Sequence, residues 1–162
     1  MPFFFKMAPL WYDGPMSSTG VIVGLDIGEA RTGIARSDAL QMLAFPYQVV
    51  HARTEDEMAR EVAAAIRELA PVLVVAGLPL NQHGESGPQA ERVLSMLERL
   101  RALVPVEMTT QDERFSTAEA LRVARDMNAR GKVRKGKVDQ VAAALILQTF
   151  LDRRASGRAA GP

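Results

Sequence analysis

Residues 21–27 read VIVGLDI, and a sheet has to be built around them. The stretch is short, rich in β-branched side chains and apolar on both faces of a two-residue repeat. That is the pattern of a strand buried inside a sheet with helices on either side, not of a strand with one wet face. Its one ionisable residue, Asp26, stands next to its end. Gly28 opens a turn, RTGIARS at 31–37 follows as a second strand in hairpin connection, and FPYQVV at 45–50 as a third. The sheet therefore opens antiparallel.

Downstream the pattern changes to crossover units. Thr54 and Glu57 form a capping-box pair, and Met58, Val62, Ile66 and Leu69 continue at helical spacing until Pro71. VLVVAG at 72–77 has the continuous apolar character of a buried parallel strand. GLPLNQHGESGPQ at 77–89 is a loop; Pro88 suits the first turn of a second helix striped by Ala90, Val93, Leu94, Leu97 and Leu100. VPVEMTT at 104–110 makes a fifth strand. Ser116 with Glu119 caps a third helix to about Asp126, and NARGKVRKGK at 128–137 is polar and expected to be mobile. A last helix starts near Asp139, and its apolar run from Val141 to Leu147 predicts burial on most of its circumference. The fold class is α/β: a mixed five-stranded sheet, antiparallel at its start and then built by crossovers, with helices on both faces.

The 162 residues suit one domain, placed at 20–151, with an N-terminal extension over 1–19 and a flexible tail over 152–162, both expected to be poorly ordered. Met16 stands just before the first strand as an alternative start. Hydrophobic residues make up 48% and charged residues 24%, and no apolar run approaches a membrane span, so a soluble globular protein without a membrane partner is expected. There is no cysteine, which excludes disulfides, thiolate zinc sites and a cysteine nucleophile, and agrees with a reducing cytoplasm. With only His51 and His83 available, any chemistry falls to carboxylates. The formal net charge is +1, so a nucleic-acid signal has to come from where charges sit.

Three carboxylates are candidates. Asp26, at the end of a buried strand, would be costly unless something cationic faced it; the plain alternative is an aspartate bonded to the amides of the turn from Gly28 to Gly33. Glu113, in QDERF, follows the fifth strand at the carboxyl edge where open α/β sheets place ligands; its alternative is a surface pairing of Asp112 and Glu113 with Arg114. Asp139 precedes a buried helical run, where capping alone would account for it. If the three converge, hard oxygen ligands could hold Mg²⁺ or Mn²⁺ ions about 3.5–4 Å apart and support phosphodiester hydrolysis without histidine or cysteine. Spacing alone leaves this open, because acids are common.

GLDIGEARTGIARSD at 24–38, VVAGLPLNQHGESGPQAERV at 74–93, DERFSTAEA at 112–120 and KVDQVAAALILQTFL at 137–151 together resemble the YqgF/RuvX family of ribonuclease-H-like nucleases. The motifs come in the family's order and span Val21 to Leu151, with departures at the N-terminal extension, Ile27 and Phe115. The resemblance implies a ribonuclease-H-like fold and a divalent-metal nuclease, with Asp26, Glu113 and Asp139 as its catalytic and metal-holding residues. The substrate it implies is precursor 16S rRNA at its 5′ end, in ribosome biogenesis, or, as the alternative, branched DNA cut by a Holliday junction resolvase.

Arg122, Arg125, Arg130, Lys132, Arg134, Lys135 and Lys137 crowd one segment beside Asp139, suited either to nucleic-acid phosphates or simply to solubility. Arg31 and Arg114 stand next to the proposed acids and are further candidates for phosphate contact. GLDIG before a glycine-containing hairpin also resembles the phosphate loop of actin-like and sugar kinases, but those enzymes enclose nucleotide between two copies of the fold and this chain has one. A non-catalytic RNA-binding assembly factor is the other alternative. The helix stripes are claimed by the sheet, leaving no dimer signature, so a monomer is expected.

Overall fold

The computed structural model describes residues 19–114 and 135–159, and within the second span the side chains of 140–157. The elements are β1 (Ile22–Ile27), β2 (Arg31–Ser37), β3 (Ala44–His51), α1 (Glu55–Leu69), β4 (Leu73–Leu78), α2 (Pro88–Leu103), β5 (Met108–Asp112) and a final helix, α3 (Lys135–Ala159). The strands form one sheet in the order β3-β2-β1-β4-β5. β2 pairs antiparallel with both β1 and β3, whereas β1–β4 and β4–β5 are parallel. This is the mixed five-stranded sheet that the sequence predicts.

All six residues of β1 are buried, because the strand is covered twice. Val23, Leu25 and Ile27 join Val74 and Ala76 under α1 and α2. Ile22 joins Leu73, Val75 and Ala35 under Ala143, Leu147 and Leu151 of α3. Gly24 allows the closest approach: a Cβ there would lie 2.7 Å from the Leu147 Cβ and 3.1 Å from the Ala143 carbonyl oxygen. The α3 backbone thus rests directly on β1.

The ends of α1 follow the sequence. Thr54 Oγ1 accepts from the Glu57 amide at 3.1 Å, while Glu57 Oε2 accepts from the amide of Arg53, one residue before the cap. Ala70 ends the helix at φ 44, with its N–H on the Ile66 carbonyl, and Pro71 follows.

Two expected boundaries move. β5 begins at Met108 rather than at Val104, whose amide is still held by the Leu100 carbonyl at the end of α2. α3 begins at Lys135, so Asp139 lies inside the helix instead of capping it. The helix also continues to Ala159, through the part of the chain expected to be a frayed tail. Side-chain ties explain this extension: Gln148 bonds the Ala44 amide and the Met42 carbonyl, and Arg154 bonds Gln41 Oε1 at 2.6 Å. Val141 is 43% exposed, so the apolar run of α3 is less enclosed than its composition implies. All but residue 19 of the expected extension at 1–19, the helix from Ser116 to Asp126 and most of the basic segment lie outside the described residues. Among the described residues no helix is long and apolar enough to cross a membrane.

Candidate active site

Asp26 is 3% exposed and stands next to last in β1. Side chains alternate along a strand, so it shares a face with Ile22 and Gly24, the face on which α3 packs. In β2 it stands opposite Gly33. The β1–β4 register ends at Leu25 with Ala76, and one further step brings Asp26 level with Gly77, itself paired with Gln111 of β5. The row across the sheet therefore reads Gly33, Asp26, Gly77, Gln111. Neither neighbour of Asp26 in this row carries a Cβ.

Glu113 is one residue past β5, yet its amide still donates to the Leu78 carbonyl at 3.1 Å and keeps the ladder's register. Two residues beyond Gln111, it lies on the same face as Gln111 and Asp26, and is 1% exposed. The DER triplet thus divides. Asp112 faces away and holds Arg114: Nε to Oδ2 at 2.9 Å, the Arg114 amide to Oδ1 at 2.9 Å, and NH2 to Oδ2 at 2.7 Å. Partial burial works to raise the Asp112 carboxyl, but the side-chain and backbone hydrogen bonds from Arg114 outweigh it and leave it below its usual value. The same hydrogen bond holds the Arg114 guanidinium above its own. Among the described residues, the pairing with Arg114 is made by Asp112.

The Arg114 guanidinium also lies against the β4–α2 loop, 2.9 Å from where a Cβ on Gly84 (φ +79) would sit. That loop is ordered by its own bonds. Leu80 bridges to Ser86, and Asn81 Oδ1 accepts from the amides of His83 and Glu85, both at 2.9 Å. His51 ends the edge strand β3 and is exposed.

Asp139 is the fifth residue of α3, and its side chain lies outside the described residues. Its backbone level follows from the packing. Arg154 bonds Gln41, which in turn bonds the Gly20 carbonyl, so the C-terminal half of α3 lies at the start of β1. Ala143 is over Gly24. Asp139 is one turn earlier, roughly 6 Å along the helix. Asp26 is two residues beyond Gly24, roughly 6.6 Å along the strand in the same direction. The helix backbone therefore carries Asp139 toward the Asp26 end of β1.

Among the described residues no three His, Cys, Asp or Glu side chains form a metal cluster; Asp26 and Glu113 are the two acids brought to this face. The donor chemistry fits a hard divalent cation: the acids on this face offer buried carboxylate oxygens. Of the basic candidates, Arg31 starts β2 opposite His51, is half-buried and is engaged in an interaction of its own. Lys135 and Lys137 lie in the first turn of α3, with side chains outside the described residues, as are Arg130, Lys132 and Arg134 altogether.

Sequence reasoning missed Gln111. It is 5% exposed, and its Nε2 has no hydrogen-bond partner among the described residues. The available signal was the period-two alternation of QDE, which puts residue 111 on the Glu113 side.

A family model described as RuvX, Holliday junction resolvase, matches residues 20–153. Relatives carrying the name "Putative pre-16S rRNA nuclease" include a protein of Nocardioides sp. (strain ATCC BAA-499 / JS614), 44% identical over 147 residues, 88% of this chain and 94% of the relative. Another, of Roseiflexus sp. (strain RS-1), is 37% identical over 136 residues, 84% of this chain and 96% of the relative. Among solved structures, T. thermophilus RuvC in complex with Holliday junction substrate superposes with a TM-score of 0.52 at 15% identity, over 83% of this chain and 95% of that one. The fowlpox virus Holliday junction resolvase gives 0.50 at 13% identity, over 82% and 99%. These likenesses make the fold ribonuclease-H-like, and the family model and the relatives together make this chain a member of the RuvX family.

Proposed function

We propose that this chain is a divalent-metal-dependent endonuclease that hydrolyses phosphodiester bonds in structured nucleic acid. The observation that carries the reading is the placement of two buried carboxylates on one face at the carboxyl edge of the sheet, Asp26 in β1 under the packing face of the helix that bears Asp139 and Glu113 just past the edge strand β5. Asp26, Glu113 and Asp139 would hold Mg²⁺ or Mn²⁺. When bound, the cation activates water and stabilises the leaving oxygen of the phosphodiester. The chain's own contribution would be to place these carboxylates, buried, on one face of the sheet as hard oxygen ligands for a divalent cation.

The basic residues 122–137 supply phosphate contacts at the start of α3. Neutralising Arg134, Lys135 and Lys137 together weakens substrate binding, with Mn²⁺ affinity retained. The slope of log K against log salt falls by roughly 0.7–0.9 for each phosphate that is no longer neutralised. A salt dependence identical to that of the unaltered protein would assign the segment to solubility.

The names of the relatives favour precursor 16S rRNA as the substrate, and the reading places its processing at the 5′ end, in the cytoplasm. The description of the family model favours branched DNA. A junction resolvase makes paired nicks and needs two sites related by a two-fold axis. One acidic site per chain in a monomer suits single cuts in RNA. The deciding experiment is cleavage of matched precursor RNA and four-way junction DNA in Mg²⁺ or Mn²⁺, with solution mass from light scattering. Metal-dependent cuts in RNA by a monomer are expected; a dimer that nicks junctions symmetrically and ignores RNA would reverse the substrate choice. No cleavage of either, with tight metal-independent RNA binding, would leave a binding factor.

A further inference from the structure

Gln111 carries a buried donor that the described fold leaves unused. Its Nε2 is enclosed and has no hydrogen-bond partner among the described residues, in a side chain belonging to a residue only 5% exposed. Native proteins leave few such groups, because an unmade buried bond costs the full desolvation of the donor. Its location gives it a use. Gln111 closes the row Gly33, Asp26, Gly77, Gln111, and only Gly77, without a side chain, stands between it and Asp26. The other donor in the same condition, Thr32 Oγ1, alternates with Ile34 in neither face nor cover: both lie on the opposite side of the sheet, under α1.

We infer that Gln111 is a substrate-binding residue, whose carboxamide N–H donates to a non-bridging oxygen of the phosphodiester when the site around Asp26 takes up nucleic acid. This rests on the nuclease reading of the site. The residue type is what the position requires. An amide N–H is no ligand for a cation, so its partner is an acceptor oxygen; a carboxamide turned to present Oε1 would instead ligate the cation, and loss of Mn²⁺ affinity in Gln111→Leu would show that arrangement and overturn the inference. A neutral donor adds no charge next to Asp26 and Glu113, yet offers a hydrogen to an anion that these carboxylates would otherwise repel. A contact to a non-bridging oxygen fixes the strand's position without reading its bases, as suits a substrate defined by shape.

The test compares Gln111→Leu and Gln111→Glu with the unaltered protein. Three quantities are measured: the metal-free thermal midpoint, Mn²⁺ affinity by calorimetry without nucleic acid, and the Kd of a labelled structured RNA and a labelled four-way junction without added metal. With Gln111→Leu the midpoint stays or rises, since an unsatisfied donor is removed, and Mn²⁺ affinity is unchanged. Both Kd values weaken by roughly tenfold or more, the value of a hydrogen bond to a charged group. With Gln111→Glu, Mn²⁺ binds more tightly while nucleic acid binds more weakly. A midpoint several degrees lower for Gln111→Leu would show the carboxamide bonded within the fold and overturn the inference, as would unchanged Kd values. Binding needs no turnover, so an unaltered protein that binds nucleic acid but never cleaves would sink the nuclease reading separately.

Discussion

Asp26→Asn abolishes metal-dependent cleavage and leaves the protein folded. Asparagine keeps the shape of the side chain in the space between Gly33 and Gly77, so packing on β1 is preserved. What disappears is the negative charge, and a hard cation depends on it. Removing an outer-shell partner of a metal ligand already costs 10–100-fold, so removing a ligand reduces single-turnover cleavage by more than about 100-fold. Mn²⁺ affinity in calorimetry falls with it. The thermal midpoint stays close to that of the unaltered protein, because the amide fills the same buried volume as the carboxylate. Glu113→Gln follows the same pattern. Unchanged turnover in Asp26→Asn would refute the metal site, and a collapse of stability without a kinetic effect would make Asp26 a structural residue of the turn.

A large stability effect is expected at Gly24. In Gly24→Ala the new Cβ meets the Leu147 Cβ at 2.7 Å and the Ala143 carbonyl oxygen at 3.1 Å. Neither atom is the far end of a flexible side chain, so α3 has to lift away from β1. Overpacking of this kind costs about 1–3 kcal/mol, and in a chain of this size each kcal/mol lowers the midpoint by roughly 2–4 °C. Asp139 rides on the same helix one turn away, so cleavage falls further than the folded fraction does. Gly157→Ala is the control: no described atom lies within 4 Å of its added Cβ, and in a helix it stabilises by up to about 1 kcal/mol. Urea titrations of the two variants beside cleavage at a fully folded temperature make the comparison. A Gly24→Ala protein as stable and active as the original would show that the height of α3 over β1 is not constrained there.

The identity of the elements was legible because local patterning carries it. Apolarity on both faces of 21–27 forces cover on both sides, and Thr54 with Glu57 starts α1 where the capping box stands. The family motifs named the acids. Boundaries set by distant contacts were not legible: nothing within DRRASGRA reveals that α3 continues past Asp152, since Arg154 is tied to Gln41, more than a hundred residues away. The division of DER into an Arg114-bonded Asp112 and a buried Glu113 also depends on a neighbour, because it is the pairing of Glu113 with Leu78 that fixes which side chain turns inward.

Local pattern alone thus yields an α/β chain with a doubly covered first strand, and the motifs yield its family and the three acids on which its chemistry was expected to rest. It takes the assembled sheet to put Asp26 in a row of glycines, to close that row with Gln111 as a buried donor, and to bring α3 onto β1 at Gly24. The difference lies in register, since periodicity within a segment says only which residues share its own face. Which residues of β2, β4 and β5 come level with Asp26 is set by hydrogen bonds between strands far apart in the chain, and a slip of one residue would turn every one of them to the other side.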